Sequence, residues 1–186
     1  MDASKNKQAI FLDRDGVINR AFVVNGRPIP PRSLVQLEIL PGVLEAITAL
    51  RIYGFEIVVV TNQPDVGRKI VSESSVVTIN ESIQELTGIV HFYTCFHDDS
   101  DGCLCRKPKP GLLELAAEKL GINLKESYMV GDRWRDIEAG QRAGCSSYFI
   151  DYAYEEKSPQ MPYVKVFSLS EAARYIQEDF NDRFSR

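Results

Sequence analysis

The sequence predicts an α/β fold, a parallel sheet covered by helices on both faces, and three observations predict it. Short apolar, β-branched runs recur along the chain, and segments of helical periodicity lie between them. The runs also show little polar alternation, as strands buried on both faces do. In order, residues 9–12 form the first strand, and 42–53 a helix with Val43, Leu44, Ile47 and Leu50 on one face, stopped by Gly54. Residues 55–60 are the second strand. Helix 72–86, rich in Ser, Val and Thr, leads to strand 89–94. Helix 110–120 has proline in its first turn and Gly121 beyond its end. Strand 128–130, helix 133–143 stopped by Gly144, and strand 147–150 complete the alternation. The tail adds a short strand in "YVKVF" and a helix through about Tyr175, opened by a capping box of Ser168 with Glu171. Residues 25–33, with three prolines, read as a surface loop.

At 186 residues the chain has the size of one domain, and 1–186 is read as such. A composition 44% hydrophobic and 26% charged supports a core without disorder. The net charge of -4 counts against a nucleic-acid partner, which needs a broad basic face. No long apolar stretch precedes Asp13, so neither a signal peptide nor a membrane span is expected, and a cytoplasmic monomer is the expectation. In that compartment thiols stay reduced, so four cysteines point to metal or thiol chemistry before disulfides.

Open parallel sheets bind ligands beyond the carboxyl ends of their strands. The residues there are Asp13 and Asp15 after the first strand, Thr61 and Asn62 after the second, a Cys/His cluster after the third, and Gly131 with Asp132 after the fourth. Arg106 and Lys107 precede the third helix. Converging carboxylates repel one another unless a cation sits among them, and an all-oxygen shell favours Mg²⁺. A carboxylate on Mg²⁺ facing a lysine and a hydroxyl has what in-line attack on phosphorus needs. Asp13 is the candidate nucleophile. Asp15, two residues on, can protonate the leaving oxygen and then deprotonate water.

Four segments, "FLDRDGVI", "VVTNQ", "CRKPKPG" and "MVGDRWRDIEAG", resemble in order and spacing the motifs of the haloacid dehalogenase superfamily of phosphotransferases. More narrowly, they are similar to its subclass III group of heptose bisphosphate and histidinol-phosphate phosphatases. The resemblance spans about residues 10–150. It implies a Rossmann-like domain without a large cap, Mg²⁺ dependence and a transient aspartyl phosphate. Carried onto this chain, it implies Asp13 as nucleophile and Asp15 as acid and base with its backbone carbonyl on Mg²⁺. Thr61, with Asn62, would hold a phosphoryl oxygen, and Lys107 would neutralise phosphate and nucleophile. Asp132 would complete the Mg²⁺ shell, and Asp136 would be either a ligand or an orienter. Arg106 and Arg133 resemble residues that close on the substrate.

Cys95, His97, Cys103 and Cys105 form C-x-H-x(5)-C-x-C in one loop, 95–105. Tetrahedral Zn²⁺ is the natural occupant of such a set, and a shell filled by protein leaves no place for an activated water, so the zinc is expected to be structural. A redox pair or packed thiols would leave His97 unexplained. A similar cluster occurs in the resembled group. The segment "HDDSDG" has little apolar material, so the metal would stiffen it and fix Arg106 and Lys107 where phosphate arrives. Cys145 reads as a packed thiol, and His91 has no assigned role.

The chain departs from the resembled enzymes on the substrate side. "TNQPDVGR" carries Pro64 and Asp65 where Ser-Gly is usual, the zinc loop is shorter, and the Gly-Tyr-Val usual after the first motif is missing. The expected activity is hydrolysis of a small sugar phosphate, D-glycero-D-manno-heptose 1,7-bisphosphate first and histidinol phosphate second. A non-catalytic phosphate-binding module is the rival of another class, and the presence of Asp15, needed only for turnover, opposes it.

Overall fold

The computed structural model describes residues 7–184. Strands β1 (Ala9–Leu12), β4 (Glu56–Asn62), β5 (His91–Cys95), β6 (Tyr128–Gly131), β7 (Ser146–Ile150) and β8 (Val164–Val166) form one sheet in the order β5-β4-β1-β6-β7-β8. Every pairing in it is parallel. Side chains alternate between faces along a strand. Ile10, Leu12, Ile57, Val59 and Val130 therefore enter one core layer, while Ala9, Phe11, Val58, Val60 and Met129 enter the other.

Helices α1 (Val43–Ile52), α3 (Glu73–Thr87) and α6 (Leu169–Phe184) cover the first face through Ile47, Ile83 and Ile176. Helices α4 (Gly111–Leu120) and α5 (Trp134–Ala143) cover the second through Leu113, Ala117 and Ala139. The result is the predicted three-layer α/β/α arrangement, with no large cap. Helix α3 shows what holds such an element. Its Ser- and Thr-rich sequence is weakly helical, but Val76, Ile79 and Ile83 are each at most 3% exposed, and burying such a side chain stabilises by roughly 1.5–3 kcal/mol. Ser72 Oγ caps it by accepting from Ser75 N–H at 3.1 Å.

Successive strands run outward from β1 on both sides, so β1 and β6 flank the point where the strand order reverses and a crevice opens. Asp13 follows β1 and Asp132 follows β6 at that crevice.

Three expectations are corrected. Residues 25–33 are not simply a loop. Strands β2 (Phe22–Val24) and β3 (Arg27–Ile29) pair antiparallel, turning at Asn25 and Gly26, which have φ of 49° and 69°. Two positive φ angles are what a two-residue hairpin turn requires, and Asn-Gly is the sequence that supplies them. Strand β4 extends through Thr61 and Asn62, which pair with Thr94 and Cys95, so these two site residues end a strand instead of following it. Helix α6 continues past Tyr175 to Phe184, because Phe180 packs edge-on against Tyr53 and Phe55, with centroids 5.6 and 5.2 Å away. A short helix, α2 (Pro64–Gly67), was not expected. Of the predicted capping box, Ser168 Oγ does accept from Glu171 N–H at 3.1 Å, while the Glu171 carboxylate returns to Phe167 N–H at 2.8 Å, one residue before Ser168. Among the described residues, no helix is long and apolar enough to cross a membrane.

Candidate active site

Lys107 Nζ, 1% exposed, donates to Asp13 Oδ1 at 2.8 Å and to Val60 O at 2.7 Å, and lies 2.6 Å from Asp136 Oδ1. Its three protons are therefore all used. Burial alone would depress its pKa, but the two carboxylates outweigh that and raise it. Asp13, Asp132 and Asp136 are all buried, and one oxygen of each lies within 4.8 Å of the others. Three carboxylates against one ammonium leave two net negative charges in a buried space, which a divalent cation would balance.

This imbalance raises the proton affinity of two of the carboxylates. Burial, opposed by Lys107 and reinforced by Asp136 and Asp15, pushes Asp13 up to about 6. Burial, then Asp13 and Asp136, hold Asp132 well above the ordinary carboxylate range. Asp132 Oδ1 is buried with no hydrogen-bond partner. A buried acceptor left empty among carboxylates fits an oxygen-liganded Mg²⁺. Asp136 is differently placed. Its Oδ1 is on Lys107, and its Oδ2 accepts from Arg133 N–H at 2.9 Å at the start of α5. Of the two roles expected for Asp136, this geometry favours orienting Lys107.

Gly16, with φ of +84°, lets the chain turn after Asp15, and a Cβ there would lie 2.0 Å from Asp132 Oδ2. Only glycine allows the loops after β1 and β6 to approach so closely. Asp15 is partly buried and fully engaged. Its Oδ1 accepts from Arg14 Nε (3.2 Å), Arg14 Nη2 (3.1 Å) and Asn19 Nδ2 (3.0 Å), and its Oδ2 accepts from Gln63 Nε2 (2.7 Å). Gln63 Nε2 also donates to Thr61 Oγ1 at 2.9 Å. Arg14, 0% exposed, reaches Asn80 Oδ1 at 2.8 Å as well.

Sequence reasoning missed Arg14, Asn19 and Gln63. Arg14 and Gln63 stand inside the quoted motifs, so a signal was present. Asn80 lies 66 positions from Arg14 and had none. Asn62 does not simply join Thr61: its side-chain amide bonds both backbone groups of Lys107, Nδ2 to O at 3.0 Å and Oδ1 from N–H at 3.1 Å, which sets the lysine's direction.

The crevice continues into an open cleft of about 820 Å³ between the β2-β3 hairpin and the loop after β5. Six arginines line it: Arg27, Arg32, Arg68, Arg106, Arg133 and Arg135. Arg106 is held by Asp99 Oδ1 (2.9 Å) and His97 O (3.2 Å), and Arg133 by Glu156 through Nε (3.1 and 3.2 Å) and Nη2. Asp65, where the resembled enzymes have glycine, accepts from Arg32 at 3.0 and 3.2 Å. Five of the six are ion-paired with Asp65, Asp98, Asp99 or Glu156, so the rim offers positioned guanidinium donors to an anionic substrate without a large excess of positive charge.

Cys95, His97, Cys103 and Cys105 converge. Cys105 Sγ lies 3.1 Å from Cys95 Sγ and 3.5 Å from Cys103 Sγ, Cys95 and Cys103 are 3.8 Å apart, and His97 Nδ1 is 3.3 Å from Cys105 Sγ and 3.6 Å from Cys95 Sγ. A disulfide would need about 2.05 Å, whereas ligands at ~2.3 Å around one tetrahedral ion stand roughly 3.7 Å apart. The four atoms thus fit zinc with a small expansion. Arg68 anchors the same loop through Asp98, and that ion pair, with the Asp99 backbone, brings Asp98 down to about 2. Cys145 is outside the cluster, its thiol pushed up to about 12 by burial. His91 Nε2 sits on the edge strand, 3.8 Å from Glu56 Oε2.

The fold and these motifs agree with what known proteins show. The description haloacid dehalogenase-like hydrolase matches residues 30–144. The D-glycero-beta-D-manno-heptose-1,7-bisphosphate 7-phosphatase of Escherichia coli K12 is 36% identical over 159 residues, 77% of this chain and 78% of its own length. The enzyme of that name from Helicobacter pylori is 33% identical over 91% of this chain and 97% of its own. Among solved structures, the D,D-heptose 1,7-bisphosphate phosphatase of B. bronchiseptica, complexed with magnesium and phosphate, superposes with a TM-score of 0.80 at 26% identity, covering 92% of this chain and 99% of that one. Strand order, crevice and motifs thus have one common origin: this chain belongs to the haloacid dehalogenase-like hydrolase family.

Proposed function

We propose that this protein is a magnesium-dependent phosphatase that passes the phosphoryl group of a small sugar bisphosphate through Asp13 to water, with the 7-phosphate of D-glycero-D-manno-heptose 1,7-bisphosphate as its substrate. The observation that carries the reading is the buried set of Asp13, Asp132 and Asp136 around Lys107, two charges short of neutrality, beneath an arginine-lined cleft. The phosphatases similar to this chain support the choice of sugar, and include enzymes named for the alpha as well as the beta anomer.

Asp13, Asp132 and the backbone carbonyl of Asp15 would hold the ion. When bound, magnesium supplies positive charge that screens the phosphate from the carboxylates. Lys107 occupies Asp13 Oδ1, so Oδ2 is the oxygen free to attack. The Asp13 oxygen forms a bond to phosphorus as the ester P–O bond breaks, and Asp15 gives its proton to the departing alkoxide. Asp15 then takes a proton from water, whose oxygen displaces Asp13 and releases inorganic phosphate. In the structure four donors surround Asp15, an arrangement for its ionised form. Turning the Gln63 amide would present an acceptor to the protonated form. Thr61 and the amides beside it would receive the phosphoryl oxygens. Arg106 and Arg133, both lining the cleft, would meet the rest of the substrate.

Zinc on Cys95, His97, Cys103 and Cys105 would be structural, and the reduced thiols it needs are consistent with a cytoplasmic, monomeric enzyme. The test is a panel of sugar phosphates and histidinol phosphate assayed with Mg²⁺, with metal analysis of the same sample. Highest kcat/KM on the heptose bisphosphate is expected. A tenfold preference for histidinol phosphate would overturn the substrate, and no phosphate release from any ester would favour a binding module instead.

A further inference from the structure

Residues 151–157, between β7 and β8, reach the loops after β1 and β6, the hairpin and the start of α5. Tyr152 Oη donates to Gly16 O at 3.1 Å, Tyr154 Oη donates to Asp132 Oδ2 at 2.9 Å, and Glu155 N–H donates to Gly26 O of the hairpin at 2.8 Å. Glu156 pairs with Arg133, and Lys157 Nζ stands 3.5 Å from the centre of the Trp134 ring. The two tyrosine rings pack on each other with centroids 5.6 Å apart. None of these residues belongs to the motifs that carry the chemistry.

The contact with Asp132 is the consequential one. Asp132 is 1% exposed, and its two oxygens are unequal: Oδ2 lies over Gly16 and accepts from Tyr154, while Oδ1 is buried without a partner. A carboxylate held at one oxygen by a fixed hydroxyl cannot turn that oxygen inward, so the other is the one presented to an ion. We infer that Tyr154 is a positioning residue for the magnesium site, its hydroxyl fixing Asp132 so that Oδ1 faces the ion, and that the strap of residues 151–157 is the element that delivers it. This rests on the magnesium-dependent reading above. Groups that orient a ligand in this way typically account for 10–100-fold in metal affinity.

The test is Tyr154→Phe, which keeps the ring and removes only the hydroxyl. Thermal melting of protein freed of magnesium by dialysis, its zinc retained, and then titrated with MgCl₂ should show a half-saturating concentration about tenfold above wild type. In turnover, the magnesium concentration for half-maximal rate should rise by the same factor, while the rate at saturating magnesium stays within about threefold. A midpoint within twofold of wild type would overturn the inference. Tyr152→Phe cuts the neighbouring bond and spares the Asp132 contact, so an equal shift there would assign the effect to general loosening of the strap and overturn it too. If Tyr154→Phe does not fold, 3-fluorotyrosine in the otherwise native chain gives the answer: the fluorine resonance of residue 154 should move with the same magnesium midpoint as the melting curve, and a resonance indifferent to magnesium would overturn the assignment. Wild-type protein that ignores magnesium in both measurements would overturn the functional reading as well. A wild-type response that the variant fully retains would sink only the role of Tyr154.

Discussion

Lys107 and Asp136 meet at 2.6 Å beneath the crevice, and the same ammonium reaches Asp13 at 2.8 Å. The lysine is thus pinned by a second carboxylate besides that of the nucleophile. Asp136→Asn can keep the cap on α5 by turning its amide oxygen to Arg133 N–H, but its NH2 group then faces Lys107 Nζ, so the lysine loses this acceptor and meets a donor in its place. A fall in kcat of about tenfold to a hundredfold is expected, equivalent to roughly 1.4–2.7 kcal/mol of transition-state stabilisation. Unchanged kcat in steady-state assays at saturating magnesium would separate Asp136 from Lys107.

Asp13→Asn should abolish turnover and leave a folded protein, because Lys107 retains Asp136 and the site loses one of its excess buried charges. Melting of the metal-free variant should occur at or above the wild-type temperature. In a quenched reaction, wild type should carry a phosphoryl adduct on Asp13 and the variant none. An adduct elsewhere on the wild-type chain would remove Asp13 from its role.

The pH dependence of the metal-free protein follows from the raised pKa of Asp13, about 6 in the folded chain against an ordinary 3.8. The folded state binds this proton more tightly than the unfolded state, so the associated stability is complete below about pH 3.8 and is lost as pH rises through about 6. Asp132 acts in the same direction. The melting temperature of zinc-loaded protein without magnesium should therefore fall between pH 5 and pH 7, and added MgCl₂ should raise it more at pH 7.5 than at pH 5. A stabilisation by magnesium independent of pH would contradict the charge imbalance.

Cys103→Ser should lower bound zinc from about one ion per chain and reduce the melting temperature, since the loop from His97 to Cys105 buries little of its own. Activity should fall several-fold, because Arg106 is held partly by the carbonyl of His97. A full complement of zinc in that variant would remove the ligand assignment.

Gly26→Ala tests the hairpin. At φ of +69°, with a new Cβ 2.4 Å from Glu155 Cγ, the turn should separate from the strap. KM should rise several-fold with kcat changed by less than about threefold, as the hairpin lines the cleft and holds no reacting group.

Much of this molecule could be read from its residues. Asp13, Thr61 and Asp132 each stand at the end of an apolar run, and that alone places them on one edge of the sheet. Four side chains of metal-ligand type within eleven positions likewise declared their own cluster. The Asn-Gly turn of the hairpin was equally legible and was obscured by the three prolines around it.

What the linear chain could determine was therefore chemistry that is local: strand followed by acid, soft ligands on one loop, glycine at a turn. Tertiary structure alone decided that Arg14 and Gln63 enclose Asp15, that Asp136 serves Lys107, and that Tyr154 closes on Asp132 from a segment with no periodicity. The physical reason is that these hydrogen bonds join side chains across the crevice, where their geometry is set by how the layers pack. No spacing along the backbone encodes that packing.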